Sequence, residues 1–143
     1  MIGDGGNKLR TYRLFKSSFK CEAYVSMNMS KRYRRAIALF RSGTAPINLE
    51  LMRYGSVKKT VEERTCISCN DKVESEIHVL TQCPLYDDIR KTLFHQLEVC
   101  SAEIIHMDDN EKLIFLMSNG EHVRKIAKAL CEIIERRKFI PLI

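Results

Sequence analysis

The sequence lacks any long run of apolar residues. No stretch approaches the ~18–20 consecutive apolar residues that a membrane-spanning helix requires, so we expect no contact with a membrane. The first seven residues, Met-Ile-Gly-Asp-Gly-Gly-Asn, contain neither the basic nor the apolar segment of a secretory signal peptide. We therefore expect an intracellular protein, nuclear or cytoplasmic, that is not secreted. We also expect residues 1–7 to be disordered.

The patterns of an enzyme active site are also missing. We find no nucleophile–base pair, and Gly3, Gly5 and Gly6 lack the preceding strand that a phosphate-binding loop needs. Internal repeats and low-complexity tracts are absent as well. The 143 residues, 45% of them apolar and 29% charged, are typical of a globular domain. We expect no enzymatic activity from this chain on its own.

Acidic side chains are absent from residues 23–49, and the net charge of +6 is unevenly distributed. Residues 1–65 contain 14 Lys and Arg against 5 Asp and Glu, which is net +9, and residues 66–143 contain 10 against 13, which is net −3. Such asymmetry indicates a polyanionic partner. We predict that RNA or DNA is bound by the basic side chains Lys31, Arg32, Arg34, Arg35, Arg41, Arg53, Lys58, Lys59 and Arg64.

Two physical reasons support this prediction, and one simpler interpretation stays open. Guanidinium groups bind phosphate bidentately, and interleaved Tyr12, Tyr33 and Tyr54 could stack on single-stranded bases. The simpler interpretation is that these cations form the solvated faces of core helices.

Three cysteines and a histidine follow one another with the spacing Cys-x2-Cys-x8-His-x4-Cys, from Cys66 through Cys69 and His78 to Cys83. Thiolate and imidazole are the ligands that Zn²⁺ prefers, and structural zinc sites have four protein ligands. Two residues between the first two thiols allow a tight turn to aim both sulfurs at one ion. We predict one structural zinc on these four residues, with the Cys83 thiolate favoured by the N-terminus of the helix that follows it.

Other interpretations of the cysteines remain. The four residues could be unrelated core residues, since free cysteine is among the most buried residue types. A redox Cys-x2-Cys motif is disfavoured because no βαβ pattern surrounds it. We expect Cys21, Cys100 and Cys131 to be reduced, partly buried thiols.

The apolar periodicity predicts a mostly α fold of about five or six helices organised around the zinc site. Residues 8–65 form a basic helical region that packs, as one domain, with the zinc element and C-terminal helices of residues 66–143. We predict helices over residues 8–19, 31–42, 84–99, 111–117 and 121–139, with Ser30 and Gly43 bounding the second. Alternating Ile47, Leu49 and Leu51 fit either a short strand or a helical turn.

The last predicted helix has the most regular apolar stripe, consisting of Val123, Ile126, Ala127, Leu130, Ile133 and Ile134. This stripe supports an alternative function. The chain would then be a zinc-stabilised structural or protein-interaction domain, whose last helix docks another protein.

Several segments together point to a family: Leu9-Arg10-Thr11-Tyr12, residues 36–43 (Ala-Ile-Ala-Leu-Phe-Arg-Ser-Gly), Pro46-Ile47-Asn48-Leu49-Glu50, residues 63–69 (Glu-Arg-Thr-Cys-Ile-Ser-Cys) and residues 74–90 from Glu74 to Arg90. With these residues the chain resembles the C-terminal segment of reverse transcriptases from non-long-terminal-repeat (long interspersed element) retrotransposons. The resemblance covers nearly the whole chain, and it is densest around the cysteines.

The resemblance implies a segment that follows the polymerase domains and helps to handle element RNA or target DNA. It also implies that the metal ligands are Cys66, Cys69, His78 and Cys83. No polymerase catalytic hairpin is present in the sequence. We therefore expect a fragment, or a remnant derived from a retroelement, without a catalytic core of its own.

Overall fold

The computed structural model describes residues 9, 11–16, 18, 20–53, 59–99 and 102–140. The predicted disorder of residues 1–7, the predicted nucleic-acid contact of Lys58, the stacking of Tyr54 and the state of Cys100 lie outside these residues. The α-helices are α1 (Tyr12–Phe15), α2 (Ala23–Ser26), α3 (Lys31–Ser42), α4 (Asn48–Leu51), α5 (Asp87–Glu98), α6 (Asp109–Ser118) and α7 (Val123–Lys138). Three 3₁₀ turns (Val61–Glu63, Pro84–Tyr86, Ala102–His106) and a π-helical turn (His78–Gln82) complete the helical structure of the described part.

The prediction of a mostly α domain is confirmed. Within the described residues, β pairing is limited to one isolated antiparallel bridge between Thr65 and Val73. None of the helices in this part of the chain is both long enough and apolar enough to cross a membrane.

Capping residues fix the ends of the well-predicted helices. The Ser30 hydroxyl accepts a hydrogen bond from the Tyr33 N–H (3.2 Å) at the start of α3. Gly43 ends this helix in the left-handed conformation (φ 74°, ψ 28°), where a residue with a Cβ would be strained. In α6, the side chains of Asp108 and Glu111 form a reciprocal capping box. These local signals explain why both helices could be located from the sequence.

The predicted helix over residues 8–19 is wrong in its extent. Among the described residues of this stretch, only the turn α1 is helical, and Lys16 is already extended (φ −85°, ψ 121°). The Lys16 ammonium pairs with Glu22, while the Phe15 ring lies 4.2 Å from the Arg41 guanidinium carbon. Tertiary contacts therefore override the helical periodicity of this segment. Residues 47–51, for which strand and helix were both open, form the helical turn α4.

Helix α7 lies at the centre of the core. All six residues of its apolar stripe are buried, and the helix packs against α3 and α5. Buried residues from both 8–65 and 66–143 belong to one hydrophobic cluster. Within this fold the stripe is covered by the chain's own helices, and docking of a reverse-transcriptase core or another protein by the last helix stays a prediction.

A buried ion pair joins the segment before His78 to the end of α7. The Arg137 guanidinium donates to both Glu74 carboxylate oxygens (3.0 and 3.1 Å) and to the Asn48 side-chain oxygen (2.9 Å). Glu74 also accepts from the Asn48 backbone N–H. All three side chains are buried, so this network fixes α4, the ligand-bearing segment and α7 to one another.

Candidate metal centre

A tight turn carries the first two cysteines. The Cys66 N–H donates to the Lys72 carbonyl (2.7 Å), and the Asn70 N–H donates back to the Cys66 carbonyl (2.7 Å). Asn70 adopts the left-handed conformation (φ 59°), which asparagine tolerates better than most residues. The turn reverses the chain beside the Thr65–Val73 bridge, and it brings both thiols to the same side, as the spacing predicts.

The other two side chains, His78 and Cys83, lie at the two ends of a π-helical turn. Ser75 caps this segment, because its hydroxyl accepts from the His78 N–H (3.3 Å). The Cys83 N–H then donates to the His78 carbonyl (2.7 Å), which is the hydrogen bond of a π-helical turn. Pro84 opens the next turn, as predicted, and Arg90 donates to the Cys83 carbonyl. Both side chains are thereby held against the cysteine turn.

The four residues converge on one point. One ligand atom from each of Cys66, Cys69, His78 and Cys83 lies within 4.8 Å of the other three. The Sγ atoms of Cys66 and Cys83 are 3.8 Å apart. Cys66, His78 and Cys83 are buried, and Cys69 is half-buried at the rim. The structure thus brings together all four residues that the sequence assigns to a metal, in an arrangement that can hold one ion.

The histidine shows that the cluster fits a metal. His78 Nε2 is buried and has no hydrogen-bond partner among the described residues, whereas buried polar atoms usually have one. The other ring nitrogen, Nδ1, lies 3.4 Å from Gln82 Oε1, and Gln82 Nε2 donates to Asp109 (3.0 Å). A histidine ligand typically donates its second N–H to such an acceptor, which leaves Nε2 for the metal.

Burial and the N-terminus of the following helix shift the pKa of Cys83 in opposite directions. Burial raises the pKa of the Cys83 thiol to about 12, and the nearby sulfurs of Cys66 and Cys69 act in the same direction. Burial also raises the pKa of Cys69. The backbone hydrogen bond from the N-terminus of the following helix lowers the pKa of Cys83, as expected, but burial outweighs it. Burial lowers the pKa of His78, which favours the neutral imidazole that metals bind. A metal cation would therefore have to displace the thiol protons itself.

The remaining described cysteines take no part in the cluster. Cys21 is exposed, and Cys131 is buried in α7 with its thiol 3.5 Å from the Arg32 carbonyl. Neither forms a disulfide within the described residues, and the exposure of Cys21 corrects the expectation that it is partly buried.

Several of the predicted nucleic-acid contacts are used inside the protein. Arg41 is buried, donates to the Met117 carbonyl and pairs with Glu22 (2.7 Å). Arg64 is buried and donates to the Lys59 and Leu49 carbonyls.

Two further arginines are largely withdrawn from solvent. Arg34 is half-buried and donates to Met27 (2.9 Å), and the Arg53 side chain, 9% exposed, pairs with Glu50. Of these four arginines, Arg41 and Arg64 are buried, and a buried guanidinium cannot reach the phosphate of a bound nucleic acid. These two residues are therefore not part of a nucleic-acid-binding surface.

Other predicted contacts do lie at the surface. Lys31, Arg32 and Arg35 on α3 are exposed, and so is Lys59. The prediction also missed Arg124, which is exposed at the start of α7 and lines the same pocket as Arg32. The sequence shows that Arg124 lies outside the apolar stripe of α7. It was not predicted as a contact because residues 66–143 carry a negative net charge.

Comparisons of the chain with protein-family models, with curated proteins and with solved structures find no match.

Proposed function

We propose that this chain is a zinc-stabilised module that binds single-stranded RNA or DNA. The convergence of three thiols and one imidazole nitrogen is the observation that carries the proposal. Zinc binds sulfur at about 2.3 Å, so a tetrahedral site places its sulfurs about 3.8 Å apart. The separation of the Cys66 and Cys83 sulfurs, 3.8 Å, agrees with that geometry.

The proposed zinc is structural rather than catalytic. A catalytic zinc keeps one coordination position for water or substrate, whereas four protein ligands fill a tetrahedral site. Burial of Cys66, His78 and Cys83 further keeps substrate away from the ion. Within this proposal the metal holds the cysteine turn against the segment that bears His78, and the chain on its own is not an enzyme.

The nucleic-acid part of the proposal rests on the exposed cations of α3. Lys31, Arg32 and Arg35 reach solvent on a helix without any acidic residue in its first turn. Phosphate contacts of this kind give sequence-tolerant affinity that falls as salt rises. The resemblance to the C-terminal segment of non-long-terminal-repeat reverse transcriptases favours RNA or single-stranded DNA as the ligand, and it is part of the proposal.

Metal content and nucleic-acid binding test the proposal together. Mass spectrometry of protein purified without added zinc should find one zinc per chain, and the helical circular-dichroism signal should fall when a chelator removes it. Cys83→Ser should lose the metal, while the matched variant Cys21→Ser, in an exposed cysteine outside the cluster, should keep it.

The zinc-loaded protein should then bind a labelled single-stranded oligonucleotide with micromolar affinity at low salt. Fluorescence anisotropy measures this affinity. Absence of binding at tens of micromolar protein would refute the nucleic-acid function and leave a structural or protein-interaction module. Absence of metal together with an unchanged spectrum would refute the zinc.

A further inference from the structure

We propose that a pocket between the start of α3 and the start of α7 is the phosphate-binding site of this module. The pocket has a volume of about 540 Å³ and is lined by Asn28, Met29, Ser30, Arg32, Tyr33 and Arg124. Its ligand would be a backbone phosphate of a single-stranded nucleic acid, with the adjoining base against Tyr33. This inference rests on the proposed function and assigns it to one place on the surface.

The two arginines of the pocket come from distant parts of the sequence. Arg32 belongs to α3, and its side chain is 64% exposed. Arg124 belongs to α7 and donates one hydrogen bond, from Nη2 to the Asn28 carbonyl (2.8 Å). A guanidinium carries five N–H donors, so this bond holds Arg124 at the pocket wall and leaves further donors for an anion. Two guanidinium groups facing one opening match the several acceptor oxygens of a phosphodiester.

Tyr33 supplies the surface on which a base can stack. Its backbone N–H is fixed by the Ser30 cap (3.2 Å), and its half-buried ring packs against the hydrophobic core. The ring is therefore held in place before any ligand arrives, which reduces the entropy lost on binding. Stacking on a fixed aromatic ring tolerates any base, in agreement with the sequence-independent binding expected of the module.

One carboxylate opposes anion binding at this place. Glu135 Oε1 lies 3.8 Å from Arg32 Nη2, and it also accepts from the Lys138 ammonium (2.9 Å). An incoming phosphate must compete with Glu135 for Arg32. Neutralising this carboxylate should therefore strengthen binding, whereas removing a pocket arginine should weaken it. General surface charge gives responses of the same signs, so the pocket is identified only if these changes exceed that of a cation removed outside it.

The test compares three variants by fluorescence anisotropy with a labelled oligouridylate at low salt. Arg124→Ala should weaken binding about tenfold, the loss typical of one charge-assisted contact. Glu135→Gln should strengthen binding a fewfold. Lys91→Ala removes the same charge from an exposed position on α5 outside the pocket, and it should change affinity less than about twofold. Circular dichroism and zinc content of each variant check that the fold is intact.

The outcomes separate this inference from the proposed function. If the wild-type protein binds the oligonucleotide and Arg124→Ala behaves like Lys91→Ala, the nucleic-acid function stands and the pocket assignment is overturned. A weakening by Glu135→Gln would also overturn the assignment. If the folded, zinc-loaded wild type does not bind at all, the proposed function fails, and this inference fails with it.

Discussion

At the scale of single residues, Gln82 holds the histidine of the metal cluster in its orientation. Its side-chain oxygen lies 3.4 Å from His78 Nδ1, and its nitrogen is anchored on Asp109. Such indirect partners of a metal typically contribute 10–100-fold to affinity. We expect Gln82→Ala to lower zinc affinity by about tenfold without abolishing binding. Competition with a chromophoric chelator measures this change.

A matched variant separates this role from a general effect on the fold. Gln96→Ala makes the same change at an exposed position of α5, and it should leave zinc affinity unaltered. Equal affinities for the two variants would contradict the role of Gln82, and His78 would then be oriented by packing alone.

The candidate metal ligands could be predicted from their spacing in the sequence, whereas the positions of two arginines could not be predicted because both are buried. The four candidate ligands were identifiable because a zinc site requires thiol and imidazole ligands together, and the sequence places three cysteines and a histidine close to one another. Arg41 and Arg64 were misplaced because their burial depends on Glu22 and on distant backbone carbonyls, which no local pattern of Lys and Arg discloses.

At the scale of helices, one exposed ion pair joins α5 to α7. Arg136 donates to both carboxylate oxygens of Asp88 (2.5 and 2.9 Å) and also to the Leu85 carbonyl (2.9 Å). The hydrogen bonds from Arg136 lower the pKa of Asp88 from 3.8 to about 2. Because the folded pKa is depressed, the pair stabilises the fold above pH 3.8, and this stabilisation is lost as the pH falls toward 2.

We therefore expect the Asp88 carboxyl, followed by NMR, to titrate near pH 2 in the wild type and at a higher pH in Arg136→Ala, where only the backbone hydrogen bonds at the start of α5 still lower its pKa. The difference in melting temperature between these two proteins should be constant down to about pH 4 and decrease below it. Lys138→Ala, in the same turn of α7, should leave the Asp88 pKa at about 2. A similar Asp88 pKa in the wild type and Arg136→Ala would contradict the pairing.

Helix boundaries were predictable wherever the chain carries its own cap. Ser30 and Gly43 delimit α3, and the Asp108 box starts α6, so local chemistry is sufficient there. The segment around α1 has no side-chain cap at its start, and Lys16 turns away to meet Glu22. Its helical periodicity therefore gave the wrong extent. The burial of α7 in the core could not be predicted either. A helix that packs inside its own domain and a helix that docks a partner have the same apolar periodicity.

At the scale of the whole molecule, the Glu74–Arg137 pair couples the metal cluster to the core. Removing one partner of a buried ion pair leaves an uncompensated charge and typically costs about 3–5 kcal/mol. We expect Arg137→Met to lower the free energy of unfolding by about this amount, measured by urea denaturation with zinc present.

Lys128→Met is the control for this measurement, because it makes the same kind of change at an exposed position of α7. It should alter the free energy of unfolding by less than about 0.5 kcal/mol. If Arg137→Met were equally mild, the Glu74–Arg137 pair would make no net contribution to the stability of the fold.

The two members of the Glu74–Arg137 pair are synthesised at different times, so the pair can form only late in synthesis. Its two members are 63 residues apart, and ribosomes add about 5–20 residues per second. Arg137 is therefore synthesised roughly 3–13 s after Glu74. Cys83, the last of the four candidate ligands, is synthesised within about 2 s of Glu74. All four residues of the candidate metal centre are therefore synthesised while the Glu74 carboxylate is still in water, and only the arrival of α7 allows that carboxylate to be enclosed.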